Sequence, residues 1–302
     1  MLYVVIYIII FSFTGCTKNI NSSDTIESFG SESSLDVITW NIENFPKHSE
    51  TIDYVVEFIG NLNADIIALQ EIEDQASFEQ LENNLLGSWV GYRAENSNWG
   101  ELSYLINRDN IEITHYPYTI LNEYEYYFAY RPPYVVEVNF NEEIFIIINV
   151  HYKCCGDGDL EQDYWDEEYR RQQASYYLKN YIDTYFSDQN VIVLGDFNDD
   201  ISEDANNVFS VFLNDVENYY FADTHIAEGP SSNWSFPNWP SHLDHILITN
   251  EIFGFEPESI TTTTLRFDDN ILGGWAKYDD YISDHRPVGI KLSNFMNLVP
   301  TQ

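Results

Sequence analysis

The chain has 302 residues, of which 44% are hydrophobic and 16% aromatic, so it is long and apolar enough to bury a sizeable core. This composition excludes an intrinsically disordered protein. Lys and Arg number 13 against 50 for Asp and Glu, and the formal net charge of −37 excludes a protein that coats nucleic acid with a basic surface. Any polyanionic substrate would therefore need metal ions to offset the repulsion.

The first segment is an uninterrupted apolar stretch from Leu2 to Phe13, followed by Thr14, Gly15 and Cys16. This stretch is shorter than the roughly 20 residues that span a bilayer and is typical of an export signal. A small residue directly before a cysteine resembles the lipobox of bacterial lipoproteins, in which the cysteine becomes the lipidated first residue. The alternative is a buried N-terminal strand.

The lipobox interpretation divides the chain into three parts. We predict a signal sequence over residues 1–16, a polar linker over 17–34 and a single domain over 35–302. The expected location is the bacterial cell envelope, with the membrane contacted only through the lipid on Cys16. No second linker or repeat interrupts the domain, and we expect a monomer.

Hydrophobic spacing predicts the elements of the domain in chain order. The first third shows strands at 35–41 and 64–70 and helices at 51–62 and 77–86. Strands are then predicted at 102–106, 134–140 and 144–150, and a long tyrosine-bearing helix precedes a strand at 191–194. Helices between strands and hairpin-like pairs together indicate a mixed α/β protein whose sheet layers are covered by helices.

Polar side chains follow several of the apolar strands directly. They are Asn41, Glu71, His151, Asp196 with Asn198, Asp244, and the pair Asp284 and His285. Polar residues in this position tend to converge at one sheet edge, where binding sites are built. Each residue taken singly could cap a turn, but together their carboxylate and amide oxygens suit a hard cation.

Six short segments, in this order, resemble the endonuclease/exonuclease/phosphatase superfamily. They are Thr39-Trp-Asn-Ile-Glu43, Ala68-Leu-Gln-Glu71, Asn149-Val-His151, Gly195-Asp-Phe-Asn198, Leu243-Asp-His-Ile246 and Ser283-Asp-His-Arg-Pro287. The resemblance runs from about residue 35 to 292 and implies a four-layer α/β sandwich of two mixed β-sheets flanked by helices. It also implies metal-dependent hydrolysis of phosphodiesters.

Two further segments resemble secreted pancreatic-type deoxyribonucleases. Glu101-Leu-Ser-Tyr-Leu-Ile-Asn-Arg108 looks like the strand that supplies a carboxylate partner to the first catalytic histidine, and Arg131-Pro-Pro-Tyr-Val-Val resembles the segment whose arginine holds a substrate phosphate. Glu73 is a departure, because those enzymes have an arginine there that enters the DNA minor groove. A surface salt bridge is the alternative role for Arg131.

The resemblance assigns a cation, Mg²⁺ or Mn²⁺, to Glu71 with Asn41 and Asp284. It assigns the orientation of water and the holding of the phosphate to Asp196 and Asn198. A cation of this kind would offset charge on the phosphoryl oxygens.

Two carboxylate–imidazole pairs are implied, one on each side of an in-line displacement. His285 would be oriented by Asp244, and His151 by Glu101, since a nearby carboxylate fixes the tautomer and raises the imidazole pKa. The sequence leaves open which histidine is the acid and which the base. A structural hydrogen bond between buried groups is the alternative for either pair.

The predicted function is that of a secreted or surface-anchored endonuclease that hydrolyses extracellular nucleic acid, with DNA favoured over RNA. One alternative is a sphingomyelinase-like phospholipid or inositol-phosphate hydrolase on the same fold, and another is a catalytically silent binding lipoprotein. Arg93, Lys153 and Arg286 stand beside the motifs and predict a locally positive cleft.

Two other features remain open. Cys154 and Cys155 are adjacent, which excludes a structural zinc pattern and allows either a strained vicinal disulfide or two reduced thiols. The acidic run from Asp157 to Glu168 faintly resembles an EF-hand but has Gln162 where the loop needs glycine. We therefore predict a solvated loop and a helix start there, with a structural Ca²⁺ as the second cation to consider.

Overall fold

The architecture was obtained as a computed structural model that describes residues 28–95, 100–203, 205–253 and 259–293. Within these residues, two six-stranded β-sheets pack face to face and helices cover their outer faces. This confirms the predicted four-layer α/β sandwich. The predicted signal sequence, with its lipobox Cys16, lies outside the described residues.

The first sheet contains the strands at both ends of the domain. Its members are β1 (Ser34–Phe45), β2 (Ile66–Ile72), β3 (Trp89–Arg93), β4 (Glu101–Asn107), β11 (Ile260–Thr264) and β12 (Val288–Ser293), in the order β11-β12-β1-β2-β4-β3. The second sheet comprises β5 (Glu112–Thr119), β6 (Tyr134–Phe140), β7 (Glu143–His151), β8 (Asn190–Asp196), β9 (Tyr219–Phe221) and β10 (Asp244–Thr249), in the order β5-β6-β7-β8-β10-β9.

Each sheet has one parallel strand pair near its centre, joined by a helix. The helix α1 (Thr51–Leu62) connects β1 to β2, and α3 (Glu167–Tyr185) connects β7 to β8. The other helices are α2 (Gln75–Asn84), α4 (Ser210–Leu213), α5 (Thr224–Ala227), α6 (Asn250–Phe253) and α7 (Gly274–Tyr281). The carboxyl ends of β1 and β2, and of β7 and β8, therefore emerge side by side.

Strand alternation separates the two hydrophobic layers around the first sheet. Leu35 and Val37 point into the core between the sheets, whereas Ile38, Trp40 and Ile42 point into the layer under α1, and all five are fully buried. This period of two is what a strand buried on both faces requires.

The predicted elements agree with the structure to within a few residues. The predicted bounds of α1 and of β6 match those observed. The helix α2 begins at Gln75 rather than Ser77, because the Asp74 carboxylate accepts a 2.7 Å hydrogen bond from the backbone N–H of Ser77 and caps the helix earlier.

The domain extends upstream of residue 35. Phe29 is buried against β12, where a Cβ on Gly289 would lie 2.6 Å from its ring. The end of the predicted linker is therefore packed on the domain. None of the helices in the described ranges combines the length and apolarity needed to cross a bilayer.

A pair of buried carboxylates lies at the other end of β1 and β2. The backbone N–H of Asp36 donates to Asp65 Oδ2 at 2.9 Å. Burial raises the pKa of Asp65 to about 7, and the charge of Asp36 adds to the rise. Between about pH 4 and 7 the folded chain therefore holds a proton that the unfolded chain has released, so stability falls as the pH rises through this window.

Asp65→Asn is expected to raise the free energy of unfolding by roughly 2 kcal/mol at pH 8 and to change it little at pH 4, because it removes this penalty. Denaturant unfolding at both pH values measures the effect. Glu112→Gln, on an exposed position of β5, serves as the control. Equal stabilities of Asp65→Asn and the parent chain at pH 8 would contradict the prediction.

Candidate active site

The ends of three strands of the first sheet form one side of the candidate site. Asn41 of β1 is the register partner of Gln70 in β2, so Glu71 follows directly beside it. The loop before β12 is tied to β1 because Ser283 Oγ donates to the backbone carbonyl of Asn41 at 2.7 Å. This bond brings His285 beside the end of β1.

The second sheet supplies the opposite side. His151 at the end of β7 and Asp196 at the end of β8 are register partners, and Asp244 of β10 pairs with Asp196 from the other flank. Three polar side chains thus lie in one row across neighbouring strands. Because the two sheets pack face to face, this row meets the polar ends of β1 and β2.

The Asp196 carboxylate is at the centre of the assembly. Its Oδ2 accepts a 2.9 Å hydrogen bond from Asn41 Nδ2 and lies 3.4 Å from His151 Nε2 and 3.9 Å from His285 Nε2. Its Oδ1 accepts from the backbone N–H of Asn198 at 2.9 Å. Burial raises the pKa of Asp196 to about 7 although the nearby His285 opposes the rise.

His285 and Asp244 form the predicted carboxylate–imidazole contact. Asp244 Oδ2 lies 2.7 Å from His285 Nδ1, and both side chains are buried. Burial disfavours the charged imidazole, but the carboxylates of Asp244, Asp196 and Asp284 more than offset it and raise the pKa of His285 to about 10. The imidazole therefore carries a proton on Nε2 facing the centre of the site at neutral pH.

His151 lacks the partner predicted for it. Its Nδ1 is buried and has no hydrogen-bond partner among the described residues, so the expected contact with Glu101 is not formed. Glu101 begins β4, opposite Ile72, and its charge acts instead on Arg131. Burial, and then the charges of Arg131 and His285, lower the pKa of His151 well below its usual range, so this imidazole is neutral.

Glu71 presents a carboxylate to the cavity in a fixed orientation. Its backbone has a positive φ of 62°, which is uncommon for a residue with a side chain. Oε1 accepts from Asn41 Nδ2 at 3.1 Å and Oε2 from the backbone N–H of Asn44 at 2.9 Å. Asn41 Oδ1 itself accepts from the backbone N–H of Glu43, so Asn41 acts here mainly to position Glu71 and Asp196.

Asp284 lies on the far side of the same opening. Its Oδ1 is 3.9 Å from His285 Nε2, and its backbone N–H donates to Glu43 Oε2 at 3.0 Å. Lys47 forms an ion pair with that same Glu43 carboxylate. The side chains of Asp284, Glu71 and Glu43 are the partly exposed acids of the site, with 27%, 24% and 21% of their area open.

The side chains around these groups enclose a cavity of ≈ 550 Å³. Its lining includes four carboxylates, on Glu43, Glu71, Asp196 and Asp284, and none of the described Lys or Arg side chains. The donor set is made of hard oxygens with excess negative charge, which fits Mg²⁺ or Mn²⁺ better than a softer metal. Phe236 and Trp239 complete one wall, and Trp239 is 78% exposed.

The predicted locally positive cleft is wrong, because the candidate cations are engaged elsewhere. Arg286 makes two bonds to Asp268, at 2.9 and 2.6 Å, and Arg93 donates to the backbone carbonyls of Ile72 and Glu73. Lys153 donates to the carbonyl of Cys154. The two arginines are thus bound outside the cavity lining, and Lys153 is held by the backbone of a residue at its edge without lining it.

Arg131 lies beside the cavity without lining it. Its Nη2 donates to the backbone carbonyl of Tyr152 at 3.2 Å. Burial lowers the pKa of Arg131, while the charges of Glu71 and Asp196 favour its ionised form. The guanidinium thus offsets part of the negative charge behind the site, and a direct contact with a substrate phosphate stays a prediction.

The acidic run before α3 forms a loop and a helix start, as predicted. Asp166 caps the helix by accepting from the backbone N–H of Tyr169 at 2.6 Å. Asp157, Asp166 and Glu168 are near enough to one another to share a cation. Glu168, however, is buried and already paired with Arg171 at 3.2 Å.

A second buried network behind the site was not predicted. Asp223 Oδ2 lies 2.6 Å from His245 Nδ1 and 3.0 Å from His242 Nε2, and all three side chains are fully buried. The other nitrogen of His245 faces the backbone carbonyl of Asp199 at 2.9 Å. Both nitrogens of His245 therefore face acceptors, so His245 must be an imidazolium.

His242 has the opposite arrangement. Its Nδ1 accepts from the backbone N–H of Ser235, so its Nε2 carries the hydrogen that is donated to Asp223. This assigns the cluster to a hydrogen-bonded ion pair rather than to metal ligation. His245 follows Asp244, and Asp199 follows Asn198, so the contact between His245 and the Asp199 carbonyl links the segments that carry Asp244 and Asn198. In the sequence, only the adjacent Asp244 and His245 could have indicated this network.

Asp223→Asn is expected to lower the free energy of unfolding by about 3–5 kcal/mol, because it leaves the imidazolium of His245 buried without its counter-ion. Thermal or denaturant unfolding measures the loss. Asp269→Asn removes a carboxylate from an exposed pair with Arg266 and should cost under about 1 kcal/mol. Similar losses for the two variants would contradict the assignment.

Comparison with known proteins gives the same family as the motifs. The model of the Endonuclease/Exonuclease/phosphatase family matches residues 38–285. The chain belongs to this family. Its members are metal-dependent phosphodiester hydrolases, which agrees with the hard-oxygen donor set and the two histidines. No curated protein sequence matches the chain.

Solved structures of the family share the fold at low sequence identity. TDP2 of D. rerio, in complex with a single-strand DNA product, has a TM-score of 0.67 at 13% identity, covering 87% of this chain and 100% of that one. The human Nocturnin catalytic domain, with bound sulfate, has a TM-score of 0.60 at 17% identity, covering 86% and 93%. A family member from Bacteroides vulgatus has a TM-score of 0.60 at 14% identity, covering 86% and 99%.

Proposed function

We propose that this chain is an exported, Mg²⁺- or Mn²⁺-dependent phosphodiesterase whose substrate is nucleic acid, cleaved as by an endonuclease. One observation carries the proposal. The Nε2 atoms of His151 and His285 both face the Oδ2 of Asp196, at 3.4 and 3.9 Å, inside a cavity lined by further carboxylates. A phosphate at this point would have two imidazoles and an aligned water within reach.

The cation would be held by Glu71 and Asp284, with Asn41 keeping Glu71 in place. When bound, it supplies positive charge to the non-bridging oxygens of the phosphate. The negative cavity wall makes this charge necessary, because a phosphodiester would otherwise meet four carboxylates with the His285 imidazolium as the one cation among the described lining side chains.

The two histidines would do different work. His285 is held by Asp244 with its protonated Nε2 toward the centre of the site, so it serves as the hydrogen-bond donor to the phosphoryl group and the acid for the leaving oxygen. His151 is neutral and lies 3.4 Å from Asp196. Asp196 orients the attacking water, and Asn198 helps to hold the phosphate.

Nucleic acid is favoured over a phospholipid or an inositol phosphate by the aromatic rim. Trp239 is exposed at the mouth, and the Phe236 ring lies 4.8 Å from the ring of His285. A base that stacks on an exposed ring gains about 1–3 kcal/mol without any basic surface. The complex of TDP2 with a single-strand DNA product shows that the same fold accepts a nucleic-acid strand in that protein.

A substrate panel tests the proposal. The chain from residue 28 onward is assayed with supercoiled plasmid, single-stranded DNA, RNA, sphingomyelin and phosphoinositides, each with Mg²⁺ and with EDTA. We expect metal-dependent cleavage of nucleic acid, including internal cleavage of the circular plasmid. Hydrolysis of only a lipid or phosphoinositide would favour the sphingomyelinase-like alternative. Absence of hydrolysis with every substrate would favour a catalytically silent binding protein.

Export by the lipoprotein route is the second part of the proposal. The full chain is expressed in a bacterial host with a labelled fatty acid, and we expect label on the product and its recovery in the membrane fraction. Cys16→Ser should abolish both. A soluble, unlabelled product that retains Met1 would contradict the assignment of Cys16.

A further inference from the structure

Two adjacent cysteines at the mouth of the candidate cavity have no part in the chemistry proposed above. Cys154 and Cys155 both line the cavity that contains Glu71 and His151, and both are free thiols. Their Sγ atoms lie 2.9 Å apart, with the thiol of Cys155 donating to the sulfur of Cys154. The two sulfurs therefore already face each other.

Adjacent side chains in an extended segment point to opposite sides, so this approach needs a turn. Cys155 supplies it with a φ of 70°, in the left-handed region that a residue with a side chain rarely adopts. Gly156 follows with a φ of 112°, and a Cβ there would lie 2.1 Å from the Glu168 carboxylate. The turn therefore requires a left-handed conformation at Cys155 and the absence of a side chain at Gly156.

One buried side chain holds the turn in place. Arg171 Nη1 donates to the backbone carbonyl of Lys153 at 2.8 Å and to that of Cys155 at 2.7 Å, so one nitrogen clamps both sides of the dithiol. The same guanidinium is fixed by Asp199 at 2.7 Å and by Glu168 at 3.2 Å. The dithiol is thus preorganised by a salt-bridged arginine of α3.

We propose that Cys154 and Cys155 are a redox-modification site that closes to a vicinal disulfide by exchange with a low-molecular-weight disulfide. Cys154 is the attacking sulfur, because Lys153 Nζ lies 3.7 Å from it and the Cys155 thiol donates to it, and both stabilise a thiolate. Cys155, the more exposed of the two, is the resolving sulfur.

The exchange balances in two steps. The Cys154 thiolate attacks one sulfur of the reagent, whose S–S bond breaks and releases the first thiol. The Cys155 sulfur then attacks Cys154 Sγ, forms the bond between the two cysteines and releases the second thiol. The two cysteines lose two electrons and two protons, and the reagent disulfide is reduced to two thiols. Because the sulfur of Cys155 is 2.9 Å from that of Cys154, formation of the intramolecular disulfide should be faster than reaction of Cys155 with a second reagent molecule.

The test uses the full chain, fully reduced and then incubated with oxidised glutathione. After acid quenching, free thiols are alkylated with N-ethylmaleimide and the chain is digested. The mass of the peptide that contains Cys154 and Cys155 is then measured separately from that of the peptide that contains Cys16. We expect this peptide to be two hydrogens lighter, with no alkyl group and no glutathione. A peptide with two alkyl groups, two glutathiones or a bond to a second chain would overturn the proposal.

Two variants separate the roles of the residues. Cys155→Ser should stop at a stable mixed disulfide between Cys154 and glutathione, since no resolving sulfur remains. Arg171→Lys keeps a positive charge near Asp199 and Glu168 but cannot clamp two carbonyls, so closure should slow by at least about tenfold, which corresponds to one to two hydrogen bonds. Unchanged closure in a folded Arg171→Lys variant would show that the turn is not preorganised and would overturn that part of the assignment. The readout is a mass and is independent of hydrolysis.

Discussion

Glu71→Gln is expected to lower the rate of phosphodiester hydrolysis by at least about 10³-fold while the chain stays folded. The amide keeps the shape of the side chain and can still meet the backbone N–H of Asn44, but it removes the negative charge that would hold the cation. EDTA should abolish hydrolysis by the parent chain, and Mg²⁺ or Mn²⁺ should restore it. Initial rates on the substrate identified by the panel measure both effects.

Binding of Mn²⁺, followed by electron paramagnetic resonance, separates loss of the cation from loss of another step. Glu71→Gln should weaken this binding, whereas Glu79→Gln, the same change on the exposed face of α2, should leave binding and rate as in the parent. Full hydrolysis by the parent chain in EDTA would contradict the metal-dependent mechanism.

His285→Ala is expected to lower kcat by at least about 10²-fold, the low end of what general acid–base catalysis supplies. Asp244→Asn should lower it by a similar factor, because an amide can no longer fix the Nδ1 proton and stabilise the charged imidazole. Since the two residues act as a unit, the double variant should be little worse than either single variant. A double-mutant cycle on kcat measures this non-additivity.

A substrate with a good leaving group distinguishes the two histidines. Such a diester needs little help from an acid, so it should rescue His285→Ala and leave His151→Ala impaired. Asp269→Asn combined with His285→Ala serves as a control cycle, because Asp269 forms an exposed pair with Arg266 and does not line the cavity. Rescue of only His151→Ala would move the acid role from His285 to His151.

The local elements could be predicted because short-range periodicity decides them. The apolar positions of α1 recur every three or four residues from Thr51 to Leu62, and these are the side chains that the structure buries. The ordered motifs likewise predicted the polar residues of the site, although Asp244 begins β10 and His285 precedes β12 instead of following a strand. Parallel pairing of β1 with β2 and of β7 with β8 then placed Asn41 beside Glu71 and His151 beside Asp196.

The pairing of His285 with Asp244 followed from the motifs, but the other charge pairs were decided only by the tertiary structure. Glu101 acts on Arg131 rather than bonding to His151, Arg286 binds Asp268, and Asp223 makes a cation of His245. These partners are separated in the chain by 18 to 30 residues, so their meeting depends on strand register and on the packing of one sheet against the other. The sequence by itself determined the family and most of the polar residues that meet at the site, whereas the carboxylate lining of the cavity replaced the positive cleft that was predicted. Long-range packing decided where each proton and each positive charge is held. A buried charge must be paired with an acceptor within hydrogen-bond distance, and tertiary packing determines which acceptor that is.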